Sequence, residues 1–120
     1  MAKIAEVKPD GCMKQLMAIK DAMDILNGKW KIQIIGSLSL RGKIRFMDLL
    51  REVDGIAAKM LSKELANLEA NLLIKRTVMS TKPVTVEYEL TPHGKTLDKV
   101  ISEIGNWGEL HRIKVRGKTL

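Results

Sequence analysis

The sequence predicts a mainly helical α+β domain with one small β-hairpin. Of the 120 residues, 45% are apolar and 29% are charged, which is typical of a folded chain with room for a single core. Aromatic residues make up only 3%, so Leu, Ile, Val and seven Met residues must build that core, as packed helices do. The apolar spacing is helical over most of the chain and alternates near residues 84–90.

The first two helices follow a polar start. Residues 1–14 are expected to form a flexible arm ahead of a domain that spans residues 15–114. Apolar residues at helical spacing predict an amphipathic helix from Gln15 to Leu26, which ends at Gly28. A second helix, apolar enough to be mostly buried, begins near Trp30 and stops near Arg41.

A helix-turn-helix is predicted next. A short helix over residues 46–53 is closed by Gly55, and a longer helix occupies residues 56–72. Two helices joined by a tight glycine-containing turn form this motif. The longer helix is expected to bury one stripe, so its opposite side faces outward. The stripe consists of Leu61, Leu65, Leu68 and Leu72.

A β-hairpin and a last helix complete the predicted domain. Residues 74–79 and 84–90 alternate in polarity on either side of a short turn, as two paired strands would. Thr91 and Pro92 then start a helix that is expected to run to about Lys114. Residues 115–120 form a basic tail.

The net charge of +7 is unevenly distributed along the chain. Residues 29–82 hold eleven basic and five acidic groups, a net +6, whereas residues 1–28 are neutral and residues 83–111 carry −3. A basic middle segment indicates a surface for an acidic partner such as DNA. The alternative is an ordinary solvated face rich in lysine.

A helix-turn-helix followed by a hairpin is the winged-helix arrangement. It places one helix in the DNA major groove while the hairpin reaches along the backbone. The residues expected to contact DNA are small, basic or hydrogen-bonding ones on or beside the second helix and the hairpin tip: Ala58, Lys59, Ser62, Lys63, Asn67, Arg45, Lys82 and Lys29.

The first and last helices predict a dimer. Together they present more apolar surface than one small core needs, and a second copy of the chain would cover it. The residues expected in this contact are Leu16, Ile19, Met23, Leu97, Val100, Ile101, Ile104 and Trp107. Such a two-fold dimer would read an inverted-repeat operator whose half-site centres lie about 10 to 10.5 base pairs apart or at a multiple of that spacing.

Other classes of protein fit the sequence less well. His93 and His111 lie in no catalytic motif, and two histidines with one cysteine do not make a structural zinc site, so no enzyme activity, cofactor or metal is expected. No apolar run resembles a signal peptide or a membrane span, which favours a cytoplasmic protein. A winged helix that binds RNA or another protein is the alternative function.

Three segments resemble a known family, the HxlR-type winged-helix transcriptional regulators related to the MarR group of bacteria and archaea. They are AMDILNGKWKIQII at 22–35, IRFMDLLREVDGIAAKMLSKELANLEANLLIKR at 44–76 and PVTVEYELTPHGKTL at 83–97. The resemblance covers nearly the whole domain. It implies a homodimeric, cytoplasmic regulator that binds double-stranded DNA, with most of the dimer contact made by the first and last helices.

Cys12 is a candidate redox sensor that departs from the pattern of this family. Members often carry a cysteine near the start of the first helix, and in some of them it senses oxidants or electrophiles. The corresponding position in this sequence lies near Met17, five residues after Cys12. An inert thiol is the alternative, because reactivity requires a lowered pKa. A small-molecule effector is not identified by any motif.

Overall fold

The computed structural model describes residues 11–117 and confirms the predicted fold class, a mainly helical domain with a small antiparallel sheet. In this part of the chain the elements are α1 (Gly11–Leu26), α2 (Lys31–Arg41), β1 (Lys43–Arg45), α3 (Phe46–Glu52), α4 (Ala58–Ala70), β2 (Ile74–Met79), β3 (Thr85–Leu90), α5 (Pro92–Lys95) and α6 (Asp98–Arg116). The predicted helix-turn-helix is α3 and α4, and the predicted hairpin is β2 and β3.

The sheet has a third strand that the sequence did not predict. β1 pairs antiparallel with β3, so the strand order is β1-β3-β2. Three residues are too few for the alternation of a strand to be recognised in a sequence. Ile44 in β1 is nevertheless buried, while its neighbours Lys43 and Arg45 are exposed. β1 thus ties the helix-turn-helix to the hairpin.

Helix boundaries differ from the prediction at both ends of the domain. α1 begins at Gly11, so residues 11–14 of the expected arm are helical, and residues 1–10 lie outside the described residues. The last helix is divided, because α5 ends at Lys95 and α6 begins only at Asp98. α6 then continues to Arg116, into the expected basic tail, whose residues 118–120 are likewise outside the description.

The core lies where α2, α3 and α4 meet the sheet. Its fully buried side chains all come from these three helices: Ile34, Ile35, Leu38, Leu49, Leu61, Leu65 and Leu68. From the sheet, Ile44, Tyr88 and Leu90 close it. The leucine stripe predicted on α4 is confirmed for Leu61, Leu65 and Leu68. It is wrong for Leu72, which lies beyond the end of the helix and is 70% exposed.

The carboxyl end of α4 is fixed by a Schellman motif. Leu72 adopts φ +64°, and the N–H groups of Leu72 and Leu73 donate to the carbonyls of Glu69 and Leu68, each at 3.0 Å. The Thr91 hydroxyl donates to the Leu72 carbonyl at 2.7 Å. These contacts hold the end of α4 against the start of α5.

Gly94 completes the same junction. A side-chain carbon built at this position would lie 2.1 Å from the Leu73 carbonyl oxygen, so only glycine fits. The Gly94 N–H also donates to the Thr91 hydroxyl at 2.9 Å, which confirms Thr91 as the N-cap predicted from the sequence. These contacts pack the end of α4 and the hairpin β2–β3, which we call the wing, against α5.

Candidate nucleic-acid interface

The outward face of α4 carries the predicted contact residues of that helix. Ala58, Lys59, Ser62, Lys63 and Asn67 are all exposed, because the opposite face is held in the core by the leucine stripe. Lys59 and Lys63 form no ion pair with any residue in the 11–117 range. These two lysines therefore extend from the outward face of α4 with no carboxylate paired to them among the described residues.

A glycine turn sets the direction in which α4 leaves α3. Gly55 adopts φ +89°, a left-handed conformation that side chains rarely allow, and α4 follows from Ala57 onward. The Trp30 ring lies beside this turn, with Cη2 3.7 Å from the point where a Cβ on Gly55 would stand. The residue that caps the start of α2 therefore packs against this turn.

A groove of about 570 Å³ separates the helix-turn-helix from the wing. Phe46, Tyr88 and Val86 are among its apolar lining residues, and the two aromatic rings lie 6.5 Å apart between centroids. The polar lining has one carboxylate, from Asp48, against three arginines and two hydroxyl side chains: Arg45, Arg51, Arg76, Ser62 and Thr85. A groove with this lining suits an anionic group such as a phosphate.

The three arginines of the groove differ in their ion pairs. Arg45 lies 4.0 Å from Glu87 on the neighbouring strand, and Arg51 is paired with Asp48 one turn earlier in α3. Arg76 forms no ion pair within the described part of the chain. Sequence reasoning named Arg45 and missed Arg51 and Arg76, for which the basic excess of residues 29–82 was the only signal.

Lys82 stands in the turn between β2 and β3, where the sequence placed it. Its side chain is exposed and has no ion-pair partner among residues 11–117. The turn itself is held by Thr81, whose hydroxyl donates to the Pro83 carbonyl at 2.8 Å. The turn therefore presents the Lys82 ammonium to solvent at the tip of the hairpin.

The lysines around Trp30 have different surroundings. Lys29 is exposed, and its Nζ lies 4.6 Å from the centre of the Trp30 ring, within the range of a cation–π contact. Lys31, counted in the basic segment, is buried and paired with Glu64. Lys31 is thus removed from the outer surface and adds no charge to the outward face of α4.

The predicted dimer residues divide into two groups. Leu97 and Ile101 are half-buried against the core of their own chain, which accounts for the apolar spacing that drew attention to them. The others are exposed in this single chain: Leu16, Ile19, Met23, Val100, Ile104 and Trp107. Sequence reasoning missed further exposed apolar side chains on the same two helices, namely Met17, Ile25, Leu110, Ile113 and Val115.

Two further residues named from the sequence lie on these helices. Cys12 is an exposed free thiol in the first turn of α1. His111 stacks on Trp107 in α6, with ring centroids 4.8 Å apart. No helix in the stretch from Gly11 to Gly117 combines the length and apolar character that a membrane crossing requires.

The fold and this surface define a winged helix-turn-helix protein, and comparison with known proteins identifies its family. The chain belongs to the HxlR-like helix-turn-helix family, whose model matches residues 25–115. It is 35% identical over 106 residues to the HTH-type transcriptional regulator YtcD of Bacillus subtilis, covering 88% of this chain and 83% of that protein. The chain is therefore a DNA-binding transcriptional regulator.

Solved structures show the same architecture. A structure assigned to the MarR family, from Porphyromonas gingivalis W83, has a TM-score of 0.72 at 38% identity and covers 76% of this chain and 88% of its own. The redox regulator HypR in its reduced form has a TM-score of 0.76 at 32% identity, with 82% of this chain and 97% of that chain covered. The predicted family resemblance is confirmed.

Proposed function

We propose that the chain binds one operator sequence as a homodimer, with α4 in the major groove and the wing on the adjacent backbone. The observation that carries this proposal is the outward face of α4. It presents Lys59 and Lys63 without acidic partners, while the leucines of the same helix fix its other face in the core. Small and hydrogen-bonding residues, Ala58, Ser62 and Asn67, lie beside the lysines and allow close approach to base edges.

Groups around α4 supply contacts to the DNA backbone. Arg76 and Ser62 share the groove between α4 and the wing, and Lys82 stands at the wing tip. Phosphate contacts orient a protein on the duplex without reading its sequence. We assign the same role to Arg45 and Arg51, although each is partly neutralised by a carboxylate, and to Lys29 at the start of α2.

The terminal helices support the dimer in this proposal. Their exposed apolar side chains, among them Ile19, Met23, Ile104 and Trp107, would be covered by a second copy of the chain. A two-fold dimer carries two copies of α4 and therefore reads two half-sites of an inverted repeat. Because the relatives come from microbes whose DNA lies in the cytoplasm, we place the protein there too.

Selection of bound duplexes from a random pool tests the proposal and yields the operator. An inverted repeat is expected, with half-site centres about 10 to 10.5 base pairs apart or at a multiple of that spacing. Inserting about five base pairs between the half-sites turns one of them to the far side of the duplex, so tight binding should be lost. A footprint that the insertion leaves unchanged would contradict the symmetric dimer, and preference for RNA or no enrichment at all would contradict operator binding.

A charge test assigns the contact residues. The Lys59→Ala, Lys63→Ala double variant should bind every duplex more weakly. The slope of log K against the logarithm of salt concentration should become shallower by about one for each phosphate that the variant no longer neutralises. Lys82→Ala should lower the affinity across sequences while the selected half-site stays the same. Lys99→Ala, on α6 and away from this surface, is the matched control. Unchanged affinity in the double variant would remove α4 from the reading role.

An oxidant is the effector that the comparisons favour, since HypR is named a redox regulator. The exposed Cys12 thiol is the candidate sensor in this chain. Peroxide treatment should then change operator binding of the unmodified chain, and Cys12→Ser should remove that response. An equal response in both proteins would show that Cys12 is inert.

A further inference from the structure

A buried ion pair joins α2 to the middle of the proposed recognition helix. The Lys31 Nζ lies 2.5 Å from the Glu64 Oε1, and the two side chains are only 8% and 12% exposed. Lys31 is the first residue of α2, and Glu64 lies at the centre of α4. Charges buried this deeply are costly unless they are paired, so each group depends on the other.

The pair has few other partners. The Lys31 Nζ also lies 3.5 Å from the Asn27 Oδ1, at the end of α1, which is a long and weak hydrogen bond. The Glu64 Oε1 accepts no hydrogen bond with regular geometry from any residue in the 11–117 range, so the Lys31 ammonium is its principal partner. Among the described residues, Lys31 is therefore the cation that compensates the buried Glu64 carboxylate.

The residue before Lys31 acts on the same helix at a second point. Trp30 lies against Gly55, in the turn that precedes α4, while Lys31 contacts the centre of α4. Two consecutive residues at the start of α2 thus touch the entry and the middle of the helix that faces DNA. One contact before α4 and one at its centre together restrict how the helix can rotate about its own axis.

The apolar contacts of α4 do not fix that rotation as closely. Burial of Leu61, Leu65 and Leu68 is favourable but non-directional. The buried ion pair instead holds one atom at the centre of α4 at a short distance from one atom of α2, and breaking it would leave both charges buried without a partner. Side-chain ends lie about 5 to 6 Å from a helix axis, so a rotation of about 20° moves them by about 2 Å. Lys63 is the neighbour of Glu64 and would move with it.

We propose that Lys31 and Glu64 are positioning residues that set the orientation of α4 for reading base pairs. Neither touches DNA, and both act through the side chains on the opposite face of α4. This inference rests on the proposed function, since it assigns a determinant of sequence preference to the same DNA-binding surface. It is distinct from a stabilising role, because buried ion pairs replaced by apolar residues of similar volume often leave a fold equally stable or more stable.

The test replaces the pair by apolar residues. Lys31→Met with Glu64→Met should fold with a Tm equal to or above that of the unmodified protein. Affinity for the selected operator should fall at least about fivefold, the size of one mismatched base pair, and the sequences selected from a random pool should become more varied. Binding to unrelated duplexes should stay the same, because Lys59 and Lys63 are still present.

A matched control and a second variant complete the design. Arg41→Met with Glu52→Met removes an ion pair that joins α2 to α3, and it should leave the selected sequence unchanged. The exchanged pair, Lys31→Glu with Glu64→Lys, restores an ion pair at the same place and should recover the narrow selection. The exchanged pair decides the question alone if the apolar variant does not fold.

The results separate this inference from the proposed function. If the unmodified protein selects no operator, the proposed function fails before any variant is compared. If it selects one, and the folded apolar variant selects the same operator with the same affinity, the positioning role is wrong. It is also wrong if the exchanged pair folds but selects no more narrowly than either single change, Lys31→Glu or Glu64→Lys.

Discussion

The winged-helix region and the two terminal helices bury their apolar side chains to very different extents. In α2, α3 and α4, Ile34, Leu49 and Leu61 are completely inaccessible to solvent. Of the residues in α1 only Leu26 is buried, and α6 contains no buried residue at all. Both terminal helices nevertheless show the apolar periodicity of a helix that packs on one face.

The difference indicates that the two regions are completed in different ways. Residues 31–90 supply most of a core that closes within one chain. The terminal helices add only Leu26 and part of Ile101 to it, and their other apolar side chains are largely exposed. The Cα radius of gyration, 18.0 Å, exceeds the value of about 14 Å expected for a compact domain of this size. A second copy of the chain would supply the contacts that the terminal helices lack, and this expectation leads to the following tests.

Truncating a core leucine should have the largest effect on stability. Leu65→Ala in α4 creates a cavity among fully buried neighbours and should lower the free energy of unfolding by about 2 to 5 kcal/mol. Leu40→Ala is the matched control, because Leu40 is 84% exposed in α2 and its loss should change stability by less than about 0.5 kcal/mol. Urea denaturation measures both, and equal effects would contradict the assigned core.

Charges placed on the terminal helices should separate the dimer without unfolding the winged-helix region. Ile19→Glu with Ile104→Glu should give a monomer that loses the stabilisation due to association, about 2.7 kcal/mol at a protein concentration one hundred times the dissociation constant. The thermal midpoint of the unmodified protein should rise with its concentration, and that of the variant should not.

The control for this variant changes residues on other faces of the same helices. Lys14→Glu with Ser102→Glu places the same acidic side chains at exposed positions about 140° and 160° around the helices from Ile19 and Ile104, so the dimer should survive. Sedimentation distinguishes the species. A monomeric unmodified protein at micromolar concentration, still able to bind its operator, would overturn the comparison between the two regions.

A smaller effect is expected where α4 ends. Leu72 holds a left-handed conformation, φ +64°, that disfavours residues with a Cβ by about 1 to 2 kcal/mol. Leu72→Gly removes this strain but makes the unfolded chain more flexible, so a net gain of about 0.5 to 1 kcal/mol is expected. Asn71→Gly, one residue earlier with φ −91°, is the control and should destabilise. If chemical denaturation shows that Leu72→Gly also lowers the free energy of unfolding, the backbone at Leu72 is not strained.

The sequence predicted the helices and the hairpin that repeat their apolar pattern over several turns or strand pairs. Leu61, Leu65 and Leu68 gave the orientation of α4, and the alternation that ends at Tyr88 and Leu90 gave β3. The strand β1 was not predicted because three residues are too few to show the alternation of a strand. The break between α5 and α6 escaped because apolar residues continue across it at helical spacing.

The candidate DNA-binding surface could be predicted only where it lies on one helix. The exposed residues of α4 follow from its period, because the buried stripe determines the opposite face. Arg51 and Arg76 belong to different elements, and only the packing of α3 against the hairpin brings them to one groove. Lys31 shows the reverse error. The sequence analysis counted its charge in the basic segment, but Lys31 is buried because Glu64 pairs with it.

The smallest effect should come from the exposed ion pair between Arg41 and Glu52. The Arg41 Nε and Nη2 donate to one Glu52 oxygen at 3.1 and 3.0 Å, but the side chains are 58% and 27% exposed. Water and salt screen such a pair, so a cycle of Arg41→Ala, Glu52→Ala and the double variant should give a coupling below about 1 kcal/mol that falls as salt is added. A larger coupling that does not depend on salt would show that surface ion pairs stabilise the winged-helix region together with its apolar interior. The difference between this region and the terminal helices would then depend on charge as well as on burial.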